Sequence, residues 1–111
     1  MVNGCFTKTK MKIAIIDIGT NTFNLLIQEI EGNATTLLYK DKISVKLGEG
    51  GINEGVIQPI PFQRGLNAIG AHLETIKKFD VDHIVGFATN AVRSAKNGNE
   101  FKAAILEQHQ L

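Results

Sequence analysis

Cysteine is nearly absent from this chain: of 111 residues only Cys5 carries a thiol, so no intrachain disulfide can form. That scarcity points to a reducing, cytoplasmic setting. Cys5 lies in a polar, irregular leader, where an inert exposed thiol is expected rather than a nucleophile. Long apolar runs are missing as well. The longest, such as Ile13 to Ile16, are far too short to span a bilayer. The leader also lacks the apolar stretch of a signal peptide. Residues 1–11 are read as that leader, with Met11 an alternative start. An excess of charge of either sign is lacking too: 12 Lys and Arg against 11 Asp and Glu leave a formal charge of +1. Neither DNA, RNA nor a membrane is therefore an expected partner, and any anion site must be local, built from a few placed groups. What is present is the composition of a globular domain or a piece of one, 43% hydrophobic and 21% charged, and not that of a disordered segment.

Lys12 to Ile18 reads as a strand whose apolar residues run continuously, the pattern of a central strand covered on both faces. A turn follows at Gly19 to Asn21. The next apolar stretch would also line a helix through Phe23, Leu26 and Ile30, but Gly32-Asn33 between two apolar runs is a hairpin signal. Thr22 to Glu31 and Ala34 to Lys40 are thus expected to pair as antiparallel strands. Ile43, Val45 and Leu47 alternate with Ser44 and Lys46 and extend the third strand, and Gly48 to Gly51 is a flexible loop. Pro61 suits the opening of a helix, and Phe62, Leu66, Ile69, Leu73 and Ile76 form one helical stripe. His83 to Ala88 is a short apolar strand. Thr89 or Asn90 caps a helix containing Val92 and Arg93, which Asn97-Gly98 ends, and Asn99 caps a last helix with Phe101, Ala104 and Ile105 inward. The order is β-β-β-α-β-α.

Two segments carry the elements of an anion site. In Asp17 to Thr22, Gly19 allows a turn with positive φ, and exposed backbone N–H groups with the Thr20, Asn21 and Thr22 side chains make a nest for phosphate oxygens. Asp17, at a strand end, suits Mg²⁺ or an attacking water. A plain hairpin turn accounts for the same six residues equally well. In Ala88 to Gly98, a helix N-terminus would place Thr89 and Asn90 against an anion with Arg93 one turn in. An ordinary capped helix with a solvated Arg93 is the simpler reading of that spacing. Lys46 could reach a phosphate, but an outward residue of an alternating strand explains it better. His72, His83 and His109 lack metal-ligand spacing and are read as surface or helix-edge residues.

Taken together in this order, four segments resemble the exopolyphosphatase and guanosine pentaphosphate phosphatase family. They are Ala14 to Phe23, Val45 to Gly50, Arg64-Gly65-Leu66 and, most specifically, Ala88 to Phe101. Two departures are visible: the family commonly has Arg at Lys46 and Ser at Asn90. The resemblance spans Lys12 to about Leu106, and sugar kinases share the first turn but not the Ala88 to Phe101 segment. It implies an α/β, ribonuclease-H-like (actin-like ATPase) lobe, of which residues 12–111 would be the N-terminal part. It further implies Mg²⁺-dependent hydrolysis of a terminal phosphoanhydride in polyphosphate or guanosine pentaphosphate. Gly19, Thr20, Asn21, Thr89 and Arg93 would bind phosphate and Asp17 the metal. The family's catalytic glutamate would lie beyond Leu111, since Glu100 and Glu107 match no motif, so the catalytic residue is unassigned and the chain alone is expected to be inactive. A non-catalytic phosphate-binding or interaction module, in which an open strand edge could support a homodimer, is the competing expectation. A sugar-kinase-type phosphotransferase lobe is the weaker one.

Overall fold

The apolar run at the front of the chain forms β1, Lys10–Ile18, and the same strand contains the last residues assigned to the leader. The computed structural model describes residues 10–50, 55–88, 92–93 and 95–109. β1 pairs antiparallel with β2, Thr22–Glu31, in a register that sets Ile18 opposite Phe23. β2 pairs with β3, Ala34–Ser44, across the Gly32-Asn33 turn. Gly32 takes φ 59°, the positive value required at the first central residue of a tight hairpin. A register shift between Ile27 and Gln28 marks a bulge in this ladder. β4, His83–Ala88, joins the other side of β1 in parallel, giving the sheet order β3-β2-β1-β4. The expected order of elements is therefore found, and β1 is central.

Its two faces are not equally covered, however. Ala14, Ile16 and Ile18 are buried, while Ile13, Ile15 and Asp17 on the opposite face are only half-buried. The helices explain the asymmetry. α1, Pro59–Lys77, lies against the face that carries Phe23, Leu25 and Ile27. α2, Gly98–His109, packs on α1. Among the described residues no helix covers the other face. β4 is left with Ile84, Val85 and Phe87 exposed at 42%, 48% and 48%.

α1 begins at Pro59, earlier than the stripe suggested, after the N-cap Gln58. Both Pro59 and Pro61 fall in the first turn, where a missing N–H breaks no intrahelical bond. Leu66, Ile69 and Ile76 of the stripe are buried, with Phe62 and Leu73 packed at its margin. His72 corrects the reading of the histidines as surface residues. It is fully buried on α1, and its Nε2 lies 2.8 Å from the Phe23 carbonyl, to which it donates. One backbone acceptor thus makes an imidazole tolerable on the core side of the helix.

α2 also starts differently. Val92 and Arg93 are helical, as expected, but the last helix already starts at Gly98, so Asn99 lies inside it instead of capping it. The Asn97 amide is committed elsewhere, accepting from the Ile57 N–H at 2.9 Å and donating to the Ile57 carbonyl at 2.9 Å. That pairing fixes the entry of α2 to the entry of α1. Phe101 then inserts between α1 and the sheet, edge-on to Phe62 at 5.1 Å and to Phe23 at 6.4 Å between ring centroids. Gly65 makes this close approach feasible: a Cβ there would stand 2.8 Å from Phe101 Cζ and 3.3 Å from Leu47 Cδ1.

Candidate functional site

The two candidate segments leave the same end of the sheet. Asp17 pairs with Phe87 and Ile18 with Ala88, so the carboxyl ends of the parallel strands β1 and β4 lie side by side. Open α/β sheets bind ligands at such strand ends. Asp17 occupies the last turn of β1 opposite Asn24 of β2. Its Oδ1 is buried and has no hydrogen-bond partner among the described residues. A buried carboxylate oxygen without a donor is costly unless something else meets it.

Beyond Ile18 the chain turns at Gly19, whose N–H donates to the Thr22 carbonyl at 3.2 Å. Gly19 is not among the residues with positive φ, which corrects the left-handed turn expected there. The strain sits across the site instead. Lys46 takes φ 51°, a conformation that a non-glycine residue adopts at a cost of about 1 kcal/mol or more. Thr20 and Asn21 are exposed. Their carbonyls are held from one side: Val45 and Lys46 donate to the Asn21 oxygen at 2.8 and 2.9 Å, and Leu47 to the Thr20 oxygen at 2.7 Å. Because a trans peptide points its N–H opposite its C=O, the Asn21 N–H faces away from residues 45–47.

β3 does continue through Ile43 and Ser44, but these bonds correct the reading of Val45 to Leu47 as strand. β3 stops at Ser44, Val45 and Leu47 are fully buried, and Lys46 is an exposed residue of a tight connection. A cavity of about 390 Å³ opens here, lined by Thr20, Asn21, Ser44, Lys46, Glu49 and the glycines at 48 and 50. Lys46 thus lines the same cavity as Thr20 and Asn21 and is not an outward strand residue.

Arg64 of α1 closes the back of this segment. Its Nε donates to the Val45 carbonyl at 2.6 Å, and its Nη2 pairs with Glu49 Oε1 at 2.8 Å. Arg64, through that hydrogen bond first and its charge second, holds the Glu49 carboxyl below its ordinary value of 4.5; burial opposes slightly and Lys46 adds a smaller pull. A depressed carboxyl stabilises the fold above its unfolded value, and that contribution is lost as pH falls through the folded value. Carboxyl-detected NMR should accordingly place the Glu49 midpoint below 4.5, and Arg64→Gln should raise it; an unmoved midpoint would show that the pair does not form in solution.

Arg93 follows β4 and is exposed. It lines a second cavity, of about 490 Å³, together with Ile18, Gly86, Ala88 and Lys102. The two cavities share no lining residue, so Arg93 is not brought into the Thr20–Asn21 pocket; what joins the two is the adjacency of β1 and β4. Thr89 and Asn90 lie outside the described residues. Among the described residues, no cluster of three or more His, Cys, Asp or Glu could hold a metal by itself. Sequence reasoning missed Arg64, Glu49 and Lys102. Arg64 and Glu49 carried a signal only as members of the Arg64 to Leu66 and Val45 to Gly50 segments, with no role attached, and Lys102 carried none.

Known proteins resemble both the sequence and the fold. Residues 26–110 match the Ppx/GppA phosphatase family. The chain is 30% identical over 90 residues to a putative exopolyphosphatase of Haemophilus influenzae, covering 81% of this chain and 28% of that protein. It is 28% identical over 100 residues to a guanosine-5'-triphosphate,3'-diphosphate pyrophosphatase of Pseudoalteromonas atlantica, covering 88% and 20%. Among solved structures, the Aquifex aeolicus member of the Ppx/GppA family superposes with a TM-score of 0.86 at 25% identity, over 92% of this chain and 33% of that one. An exopolyphosphatase from Cytophaga hutchinsonii gives 0.84 at 34% identity, over 88% and 31%. The actin-like ATPase architecture is thereby the right one, and the chain spans at most 28% of the curated relatives and about a third of the solved ones. On its sequence match and its fold alike, the chain belongs to the Ppx/GppA phosphatase family.

Proposed function

We propose that this chain is the N-terminal part of a phosphohydrolase that releases terminal phosphate from polyphosphate or guanosine pentaphosphate. It carries one side of the phosphate site. The observation that supports this most is the unpartnered, buried Asp17 oxygen at the strand end from which the Thr20–Asn21 loop departs. Mg²⁺ typically takes one or two carboxylates and fills its remaining positions with waters and phosphate oxygens, so a lone Asp17 fits it. When bound, the ion would neutralise charge on the phosphate chain.

The chain's own residues bind and orient. Thr20 and Asn21 offer N–H, hydroxyl and amide donors to phosphate oxygens, and Gly19, whose own N–H is taken by the Thr22 carbonyl, lets the phosphate approach the backbone closely. Arg93 and Thr89, following the neighbouring strand, take the next oxygens, with Arg93 supplying a planar fork for two of them. The base that activates water is assigned to no residue here: Glu100 and Glu107 are exposed on α2. The lone cysteine suits a cytoplasmic setting.

Charge-assisted hydrogen bonds to phosphate are worth about 1.5–3 kcal/mol. In a polypeptide extended to the length of the relatives, Arg93→Ala should lower kcat/KM for polyphosphate by roughly tenfold or more at unchanged thermal stability. Wild-type kinetics in that variant would remove Arg93 from the site.

A further inference from the structure

We propose that Arg64 is a positioning residue for this site, and that through residues 45–49 it presents Lys46 as an additional cation for the phosphate chain. The proposal rests on the phosphate-site reading above. Three observations carry it. The first is connectivity. Arg64 donates to the Val45 carbonyl at 2.6 Å and approaches the Lys46 carbonyl at 3.5 Å. The N–H groups of the same two residues hold the Asn21 carbonyl. One guanidinium on a long helix therefore fixes the segment that fixes the loop.

The second is conformation. Lys46 is a non-glycine residue at φ 51° between two fully buried neighbours, Val45 and Leu47. With those neighbours anchored in the core, the left-handed turn sets the one exposed residue between them at the cavity that Thr20 and Asn21 line. Glycine would take this φ without strain; lysine there brings a positive charge to the rim.

The third is charge. Glu49 lines the same cavity, and an unpaired carboxylate would repel a phosphate chain. The Arg64 pair at 2.8 Å neutralises it, which leaves Lys46 as the uncompensated charge among the lining residues. Arg64 thus does two things from outside the cavity: it holds the segment in place and cancels its one negative group.

The test uses the 111-residue chain and inorganic tripolyphosphate, with affinity read from NMR titration of wild type, Arg64→Gln, Lys46→Met and the double variant. Each single change should weaken binding roughly tenfold, and the double variant should lose clearly less than the product of the two, because the part of Arg64 that acts through Lys46 is already gone and only the freed Glu49 carboxylate adds to the loss. A merely structural Arg64 would give multiplying losses. Additive losses, or unchanged affinity in Lys46→Met, overturn the proposal while leaving the phosphate site standing. If wild type itself does not bind tripolyphosphate, the phosphate-site reading falls and the proposal falls with it. If Arg64→Gln fails to fold by circular dichroism, Lys46→Met decides: its side chain is exposed, so a tenfold loss there supports the proposal and wild-type affinity overturns it.

Discussion

Phe101→Ala should bring the chain to the edge of unfolding at 25 °C. The ring is fully buried, sits edge-on to both Phe62 and Phe23, and fills the notch that Gly65 leaves open in α1. Truncating a buried phenylalanine costs about 3–5 kcal/mol, since transfer free energy is lost and a cavity remains. Whole domains are stable by only about 5–15 kcal/mol. This chain is expected to stand at the lower end of that range, because among the described residues one sheet face is uncovered by a helix and the β4 residues Ile84, Val85 and Phe87 are exposed. The ring shares the docking of α2 with the Asn97–Ile57 pair and with His109, whose Nε2 lies 3.0 Å from the Leu66 carbonyl, so its loss should loosen α2. Urea denaturation followed by circular dichroism measures the effect. A variant whose midpoint moves by less than the equivalent of about 1 kcal/mol would mean that α2 is not docked as described.

The second large effect concerns turnover. The 111-residue chain should release no phosphate from polyphosphate with Mg²⁺, even at protein concentrations far above those an intact enzyme needs. Phosphoanhydride hydrolysis needs an oriented water and donors on both sides of the transferred group. The proposed site supplies one loop, one strand-end carboxylate and Arg93, and assigns no base. The matched region is at most 28% of the curated relatives. Multiple turnover by a folded monomer would show that a residue of this chain serves as the base. Apolar β4 is expected to add a practical signature: an exposed strand with one free edge favours self-association, which Val85→Lys should reduce.

Much of the fold was legible because it is local. The Gly32-Asn33 hairpin needs only its own residues, and the α1 stripe needs only helical periodicity. What escaped was set by distant partners. Lys46 alternates with apolar neighbours as an outward strand residue would. Hydrogen bonds to the Thr20 and Asn21 carbonyls, and from Arg64, hold it in a left-handed bend instead. His72 looks like a polar residue beside the stripe until the Phe23 carbonyl is placed opposite it. Asn99 has capping chemistry, but Asn97 and its bonds to Ile57 decide where α2 begins. At the site, the resemblance identified the segments around Asp17 and Arg93, and the parallel pairing of β1 with β4 brings them to one sheet end. Arg64 acts from α1, an element no motif connected to the loop, so only the three-dimensional arrangement exposes its pairing with Glu49.

The central claim is that this chain holds one side of a phosphate site at the carboxyl ends of β1 and β4. The most direct measurement is an amide-resolved NMR titration of the labelled 111-residue chain with inorganic tripolyphosphate and Mg²⁺. The account predicts saturable shifts concentrated at Asp17 to Thr22, Ser44 to Gly50 and the residues around Arg93. It predicts little change along the Gly32-Asn33 hairpin end of the sheet, which lies at the opposite ends of these strands. Shifts absent at saturating ligand, or concentrated away from those strand ends, would contradict it.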